Sequence, residues 1–215
     1  MKRCIIALLT CGVAACGHGE QTNMINLPAI DAAQAGPLVH AMAARRSVRS
    51  FAPKALDHAT LGALLWAAQG VSSPRGYRTA PSAGALYPLE TYVASADGLY
   101  QYVPAGHTLA VRCTNDVRAA LTRAAYGQGC MAQAPVIFIF TAVYQRETVK
   151  YGERGIMYTH MEAGHAAQNL MLRAVELGMG TVAVGAFQDS AVSAALKLPH
   201  GETPVYMIPA GYPAN

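Results

Sequence analysis

Residues 135–142 read PVIFIFTA, and no other stretch narrows the fold as far. The run is apolar, β-branched and aromatic, without the alternation shown by a strand with one wet face. It is far shorter than the roughly 20 apolar residues of a membrane-spanning helix. A central strand buried on both faces follows, and it needs strands beside it and helices layered over it. The rest of the chain offers both. Leu38 to Arg46 reads as a short helix. Asp57 caps a second, with Leu61, Leu64, Leu65 and Ala68 on one face and Gly70 as the stop. Thr91–Ala96 and Leu99–Val103 read as strands joined through Asp97-Gly98. Asn115 caps a helix running to Tyr126, Tyr158–Leu177 is a long helix, and Asp189 caps a short one. Thr181–Val184 and Pro204–Ile208 complete the strands, while Ser72–Leu86 is loop. Helices and strands do not alternate strictly, so the class is α+β, a sheet flanked by helices.

The start of the chain belongs to a different category. Lys2 and Arg3 precede an apolar run from Cys4 to Val13, and Val13-Ala14-Ala15-Cys16 resembles a bacterial lipobox. Residues 1–15 therefore read as an export signal, Cys16 as the lipidated residue, 16–36 as a polar tether and 37–215 as the folded domain. The expected location is the periplasmic side of a bacterial membrane, held by a lipid anchor only. Plain cleavage after Ala15 would instead leave a soluble periplasmic protein. Of the formal net charge of +4, Lys2 and Arg3 account for two, and the remainder is too weak to argue for nucleic acid. Cys113 and Cys130 stay with the domain, either paired in an oxidising compartment or as buried free thiols.

The chemically loudest segment is Arg45-Arg46-Ser47-Val48-Arg49-Ser50-Phe51. Guanidinium forks match phosphate oxygens through paired, charge-assisted hydrogen bonds, and hydroxyls can complete such a cradle. A solvated basic helix end is the plainer reading of the same residues. Four further stretches follow in order: LGALLWAAQGV, APSAGALYPLETYV, MEAGHAAQNLMLRAVELGMG and VAVGAFQD. Together with RRSVRSF they resemble the FMN-dependent nitroreductase superfamily, most closely its SagB-type dehydrogenase branch, from about Arg45 to Pro213.

That resemblance implies a nitroreductase-like three-layer sandwich with a mixed central sheet, FMN as cofactor, and a homodimer with the flavin at the subunit boundary. Arg45, Arg46, Ser47 and Arg49 would hold the FMN phosphate. Pro81, Ser82 and Gly84 would lie along the ring and ribityl chain, with Gly84 allowing close backbone approach. Gly185 and Ala186 would face the reactive edge of the flavin through backbone N–H groups. The chain departs from the pattern at Ala85, where relatives carry Asn, at Tyr87, where many carry Gln, and at its end, where a basic residue is common. The implied activity is transfer of hydride or electrons from a reduced donor, NAD(P)H among the candidates, to a small organic acceptor. An azoline-type peptide oxidase and a non-catalytic flavin-binding lipoprotein are the alternatives. No side chain is assigned as catalytic acid or base. His160, Glu162 and His165 lack the spacing of a metal site, and Gly178-Met179-Gly180 reads as a helix stop rather than a dinucleotide fingerprint.

Overall fold

A computed structural model describes residues 25–31 and 36–214 of the chain. The backbone divides into one unit up to Asp31 and a second from Ala32 onward. In the first, residues 25–31 are exposed and carry no regular secondary structure. The signal at 1–15, Cys16 and most of the tether lie outside the described residues.

The second unit is built around residues 135–142. Strand β4 (Val136–Ala142) is buried at every position and pairs antiparallel with β1 (Leu89–Ser95) on one side and β6 (Thr203–Gly211) on the other. β2 (Gly98–Val103) and β3 (Thr108–Cys113) extend the sheet beyond β1, and the two-residue β5 (Gly180–Thr181) extends it beyond β6. The ladders between these strands are all antiparallel. The mixed character expected of the sheet is confined to one parallel bridge, Ser47 to Thr181.

The side chains of β4 alternate between two cores. Phe138 and Phe140 pack with Leu64, Leu65 and Ala68 of α2 (His58–Gln69) and with Ala163, Ala166 and Leu170 of α6 (Arg154–Glu176). Ile137 and Ile139 pack on the opposite face. Their neighbours are Leu121 of α3 (Arg118–Ala124), Met131 of α4 (Gly129–Gln133) and Val192 and Leu196 of α7 (Asp189–Leu196). Helices, sheet and helices therefore form the three-layer α+β sandwich.

Local chemistry explains both ends of α2 and the stop of α6. Asp57 Oδ1 accepts from Thr60 N–H at 2.7 Å and caps α2, and Gly70 closes it. α6 stops at Gly178, φ +68°, where Met179 N–H bonds Ala174 O at 2.8 Å and Gly178 N–H bonds Val175 O at 3.0 Å, a Schellman arrangement. Other boundaries differ from expectation. α6 begins at Arg154, a turn before Tyr158. The caps of α3 and α7 are Val117 and Gln188 rather than Asn115 and Asp189. The hairpin loop is Ala96-Asp97, with Gly98 already paired to Ser95. The strand read at Thr181–Val184 is only two residues long, and Val184 rejoins the sheet by a bridge to Met207. Cys113 and Cys130 are both free, the first half-buried and the second buried.

Candidate functional site

The arginine segment leaves α1 (Pro37–Ala44) and runs onto the β5 edge of the sheet. Val48 N–H donates to Thr181 O at 2.9 Å. Gly180 makes this approach feasible, since any Cβ there would lie 2.5 Å from Val48 Cβ. Arg46 turns back, its Nη1 donating to Ala43 O at 2.8 Å and Arg45 O at 2.7 Å, so it caps helix carbonyls. Arg45 is half-buried, and Ser47 and Arg49 are exposed. Among the described residues, the ion pairs are Arg118–Asp116, Arg146–Glu90 and Arg173–Glu176, so no carboxylate neutralises Arg45 or Arg49. That edge fits an anion of phosphate type.

The second element is the loop from Pro81 to Tyr87. Gly84 (φ +60°), Ala85 (φ +55°) and Tyr87 (φ +47°) all adopt left-handed backbone, which costs about 1–3 kcal/mol at a residue other than glycine. The surroundings fix this conformation. Tyr87 N–H donates to Ser82 Oγ at 2.8 Å, Arg146 Nη1 to Tyr87 O at 2.9 Å, and Arg78 N–H to the Tyr87 hydroxyl at 3.1 Å. The Arg78 guanidinium stacks 4.4 Å from the Tyr87 ring centre and donates to Gln69 Oε1 at 2.9 Å. Tyr87 is thus held by four contacts. Ser82 also has a structural partner, whereas Pro81 and Gly84 are exposed.

Gly84 lies under α5 (Gln145–Tyr151). A Cβ on it would meet Tyr151 Oη at 2.7 Å and Lys150 Nζ at 2.9 Å. Lys150 was not among the sequence candidates, and Tyr151 stood out only as one of several tyrosines in excess of packing needs. The signal available was weak: a Lys-Tyr pair ahead of Gly152, whose φ of +59° ends the helix.

The third element is Gly185-Ala186, both exposed. Gly185 lines a 470 Å³ cavity with Tyr144, His160, Ala163, Gly164, Phe187 and Tyr206. Tyr144 Oη and His160 Nε2 are 2.6 Å apart at its wall, and burial, with Asp189 adding, raises the Tyr144 phenol above its ordinary range. Ala186 O accepts from Gln128 Nε2 at 3.1 Å.

One turn of α6 joins the second and third elements. Glu162 Oε1 accepts from Ala83 N–H at 2.7 Å, and the next two residues, Ala163 and Gly164, line the Gly185 cavity. A Cβ on Gly164 would meet nothing within 4 Å. The first element reaches the same place along the backbone, because Thr181, bridged to Ser47, stands four residues before Gly185, an extended span of at most about 14 Å. An unneutralised basic edge at one end and an open cleft floored by glycines at the other suit a ligand with an anionic tail and a flat head. His160 and Glu162 engage different partners, Tyr144 and Ala83, and do not converge.

Comparison with known proteins agrees with this architecture. The model of the nitroreductase family matches residues 42–212. A candidate nitroreductase of Methanocaldococcus jannaschii is 44% identical over 173 residues, covering 78% of this chain and 86% of the relative. The microcin B17-processing protein McbC of Escherichia coli is 24% identical over 132 residues, 56% of this chain and 48% of McbC, so the match spans about half of that protein. Among solved structures, a candidate nitroreductase of Ralstonia eutropha superposes with a TM-score of 0.77 at 30% identity, covering 88% of this chain and 89% of the other. The E. coli microcin synthetase McbBCD complex matches in fold, with a TM-score of 0.72 at 22% identity over 91% of this chain and 77% of that chain.

Proposed function

This chain belongs to the nitroreductase family and is an oxidoreductase, and from that premise we propose that it binds FMN at the site described and moves electrons from a reduced donor to a small organic acceptor. The observation that carries the proposal is the convergence at Glu162–Gly164, where the Ser82–Gly84 loop and the Gly185 cavity meet, with the arginine edge tied to the strand that leads to Gly185. Arg45, Arg49 and Ser47 would take the phosphate, with Arg46 supporting the helix end. Gly84, Gly164 and Gly185 would present bare backbone to the ring. Bound FMN supplies the two-electron chemistry. The chain's own groups bind, orient and exclude water, and Tyr144–His160 and Lys150–Tyr151 place proton-bearing side chains at the cleft wall and at Gly84. We assign the chain to the SagB-type branch, on its LYPLE segment and its partial likeness to McbC.

We further propose a homodimer. Its support is the apolar surface left exposed on α1, α2 and α6, with Leu38, Met42, Trp66, Ile156, Met157 and Met161 all uncovered. Export with lipidation at Cys16 is the proposed localisation, on the sequence pattern alone.

The test is spectroscopic. Purified protein should be yellow, or become so with FMN, and should bleach when NAD(P)H is added without oxygen. Bound flavin that nicotinamides leave oxidised would point to another donor, or to an oxidase of peptide azolines. A protein that takes up no FMN would overturn the reading.

A further inference from the structure

Beside Glu162 lies a second buried carboxyl, Glu147, that has no part in the function described so far. Glu147 on α5 is fully buried, and Glu162 on α6 is 4% exposed. Thr159 Oγ1 donates to Glu147 Oε2 at 3.0 Å and Ala83 N–H to Glu162 Oε1 at 2.7 Å, but Glu147 Oε1 has no partner among the described residues. Glu147 is bonded to Thr159, which stands one turn before Glu162 on the same face of α6, so the two buried carboxyl groups sit together between α5 and α6. Two ionised carboxylates so placed would repel each other out of water and set acceptor against acceptor. A single proton between them removes the repulsion and gives the orphaned oxygen a partner.

We propose that Glu147 and Glu162 share one proton, and that this pair is the positioning device holding the Ser82–Gly84 loop and the Lys150–Tyr151 end of α5 at the flavin site. The proposal rests on the flavin reading above. Its geometry ties three segments together. Glu162 grips the loop through Ala83, Glu147 sits one turn before Lys150 and Tyr151, and Gly155 brings α6 so close to α5 that a Cβ would stand 2.8 Å from the Glu147 carbonyl carbon. Burial first, and then Glu147, push the Glu162 carboxyl up to about 8, against the pull of Ala83 N–H and the Ser82 hydroxyl. The other titratable or charged groups on the packed elements are Arg146, Lys150 and Tyr151 on α5, Arg154, Tyr158, His160, His165, Arg173 and Glu176 on α6, and Glu90 and Tyr92 on β1. His160 is bonded to Tyr144, Glu90 is paired with Arg146 and Arg173 with Glu176, and Arg154 and Tyr151 lie against the Tyr158 ring, while Lys150 and Tyr151 reach Gly84, next to the Ala83 N–H that Glu162 holds.

The sign follows from the shared proton. Below the midpoint the proton is held and the loop is fixed. As pH rises through about 8 it is lost, and FMN affinity should fall by up to about tenfold per pH unit. In Glu147→Gln the amide donates to Glu162 at every pH, so affinity should match wild type at about pH 7 and stay level to about pH 9.5. The FMN phosphate titrates near pH ~6, below this window. Glu162→Gln also keeps an acceptor for Ala83 and a donor for Glu147, and serves if the first variant does not fold. Identical pH profiles in wild type and variant would overturn the proposal. If no form binds FMN at about pH 7, the flavin reading alone has failed. The pair is then read from the melting temperature of the ligand-free protein, which should fall across the window in wild type and hold level in the variant. A parallel fall in both would overturn the shared proton.

Discussion

Gly180→Ala tests whether close packing, rather than charge alone, builds the anion edge. The added methyl would stand 2.5 Å from Val48 Cβ and 2.7 Å from each of its γ carbons. Carbon contacts settle near 3.5–4.0 Å, so the arginine segment must retreat by about 1 Å. Overpacking on this scale costs about 1–3 kcal/mol, against which alanine recovers roughly 0.5–1 kcal/mol of backbone entropy in a strand. Retreat also lengthens the 2.9 Å bond from Val48 N–H to Thr181 O, worth about 1 kcal/mol. The net loss is about 1–3 kcal/mol, or roughly 2–12 °C in melting temperature for a domain of this size. Moving Arg45, Ser47 and Arg49 together should weaken FMN about tenfold, a loss of about 1.4 kcal/mol. Thermal unfolding and quenching of flavin fluorescence measure the two effects. Gly129→Ala, where a Cβ meets nothing within 4 Å, is the control and should not lower the melting temperature. Unchanged melting and unchanged FMN binding in Gly180→Ala would refute the packing argument.

Three other outcomes follow from the same geometry. Arg45→Ala and Arg49→Ala should each weaken FMN by about 1.5–3 kcal/mol, with the deficit shrinking in high salt, while Arg46→Ala should mainly lower stability; isothermal titration at two salt concentrations separates them. Gly164→Ala should raise the melting temperature of the ligand-free protein by a few degrees, through roughly 0.5–1 kcal/mol of helix propensity, yet weaken FMN because its methyl enters the cavity. In the folded chain Cys113 should be alkylated before buried Cys130, with no linked Cys113–Cys130 peptide in mass spectra.

The parts of the fold that could be read from the sequence were those with a strong local cause. PVIFIFTA could only be a buried strand, and Asp57 and Gly70 bracket α2 by capping chemistry. β3 escaped because it is an edge strand with mostly exposed residues and no clean alternation. α5 escaped because QRETVKY is short and polar and has no capping side chain. The candidate site was legible as separate motifs, not as a meeting point. Arg46 looked equivalent to its neighbours until its guanidinium was seen on the carbonyls of α1. Tyr87 stood out only as a departure from the family pattern, and the structure shows it clamped by Arg78 and Arg146. Lys150, Tyr151 and Glu147 acquire meaning only through contacts with Gly84 and α6, which no local pattern encodes.

The most direct measurement is a crystal structure of the protein with FMN bound. The account predicts the phosphate on Arg45, Ser47 and Arg49, and the ring lying between the Ser82–Gly84 loop and Gly185 over the open face of Gly164. Density for the flavin at any other surface, with the arginines at the β5 edge unengaged, would contradict it.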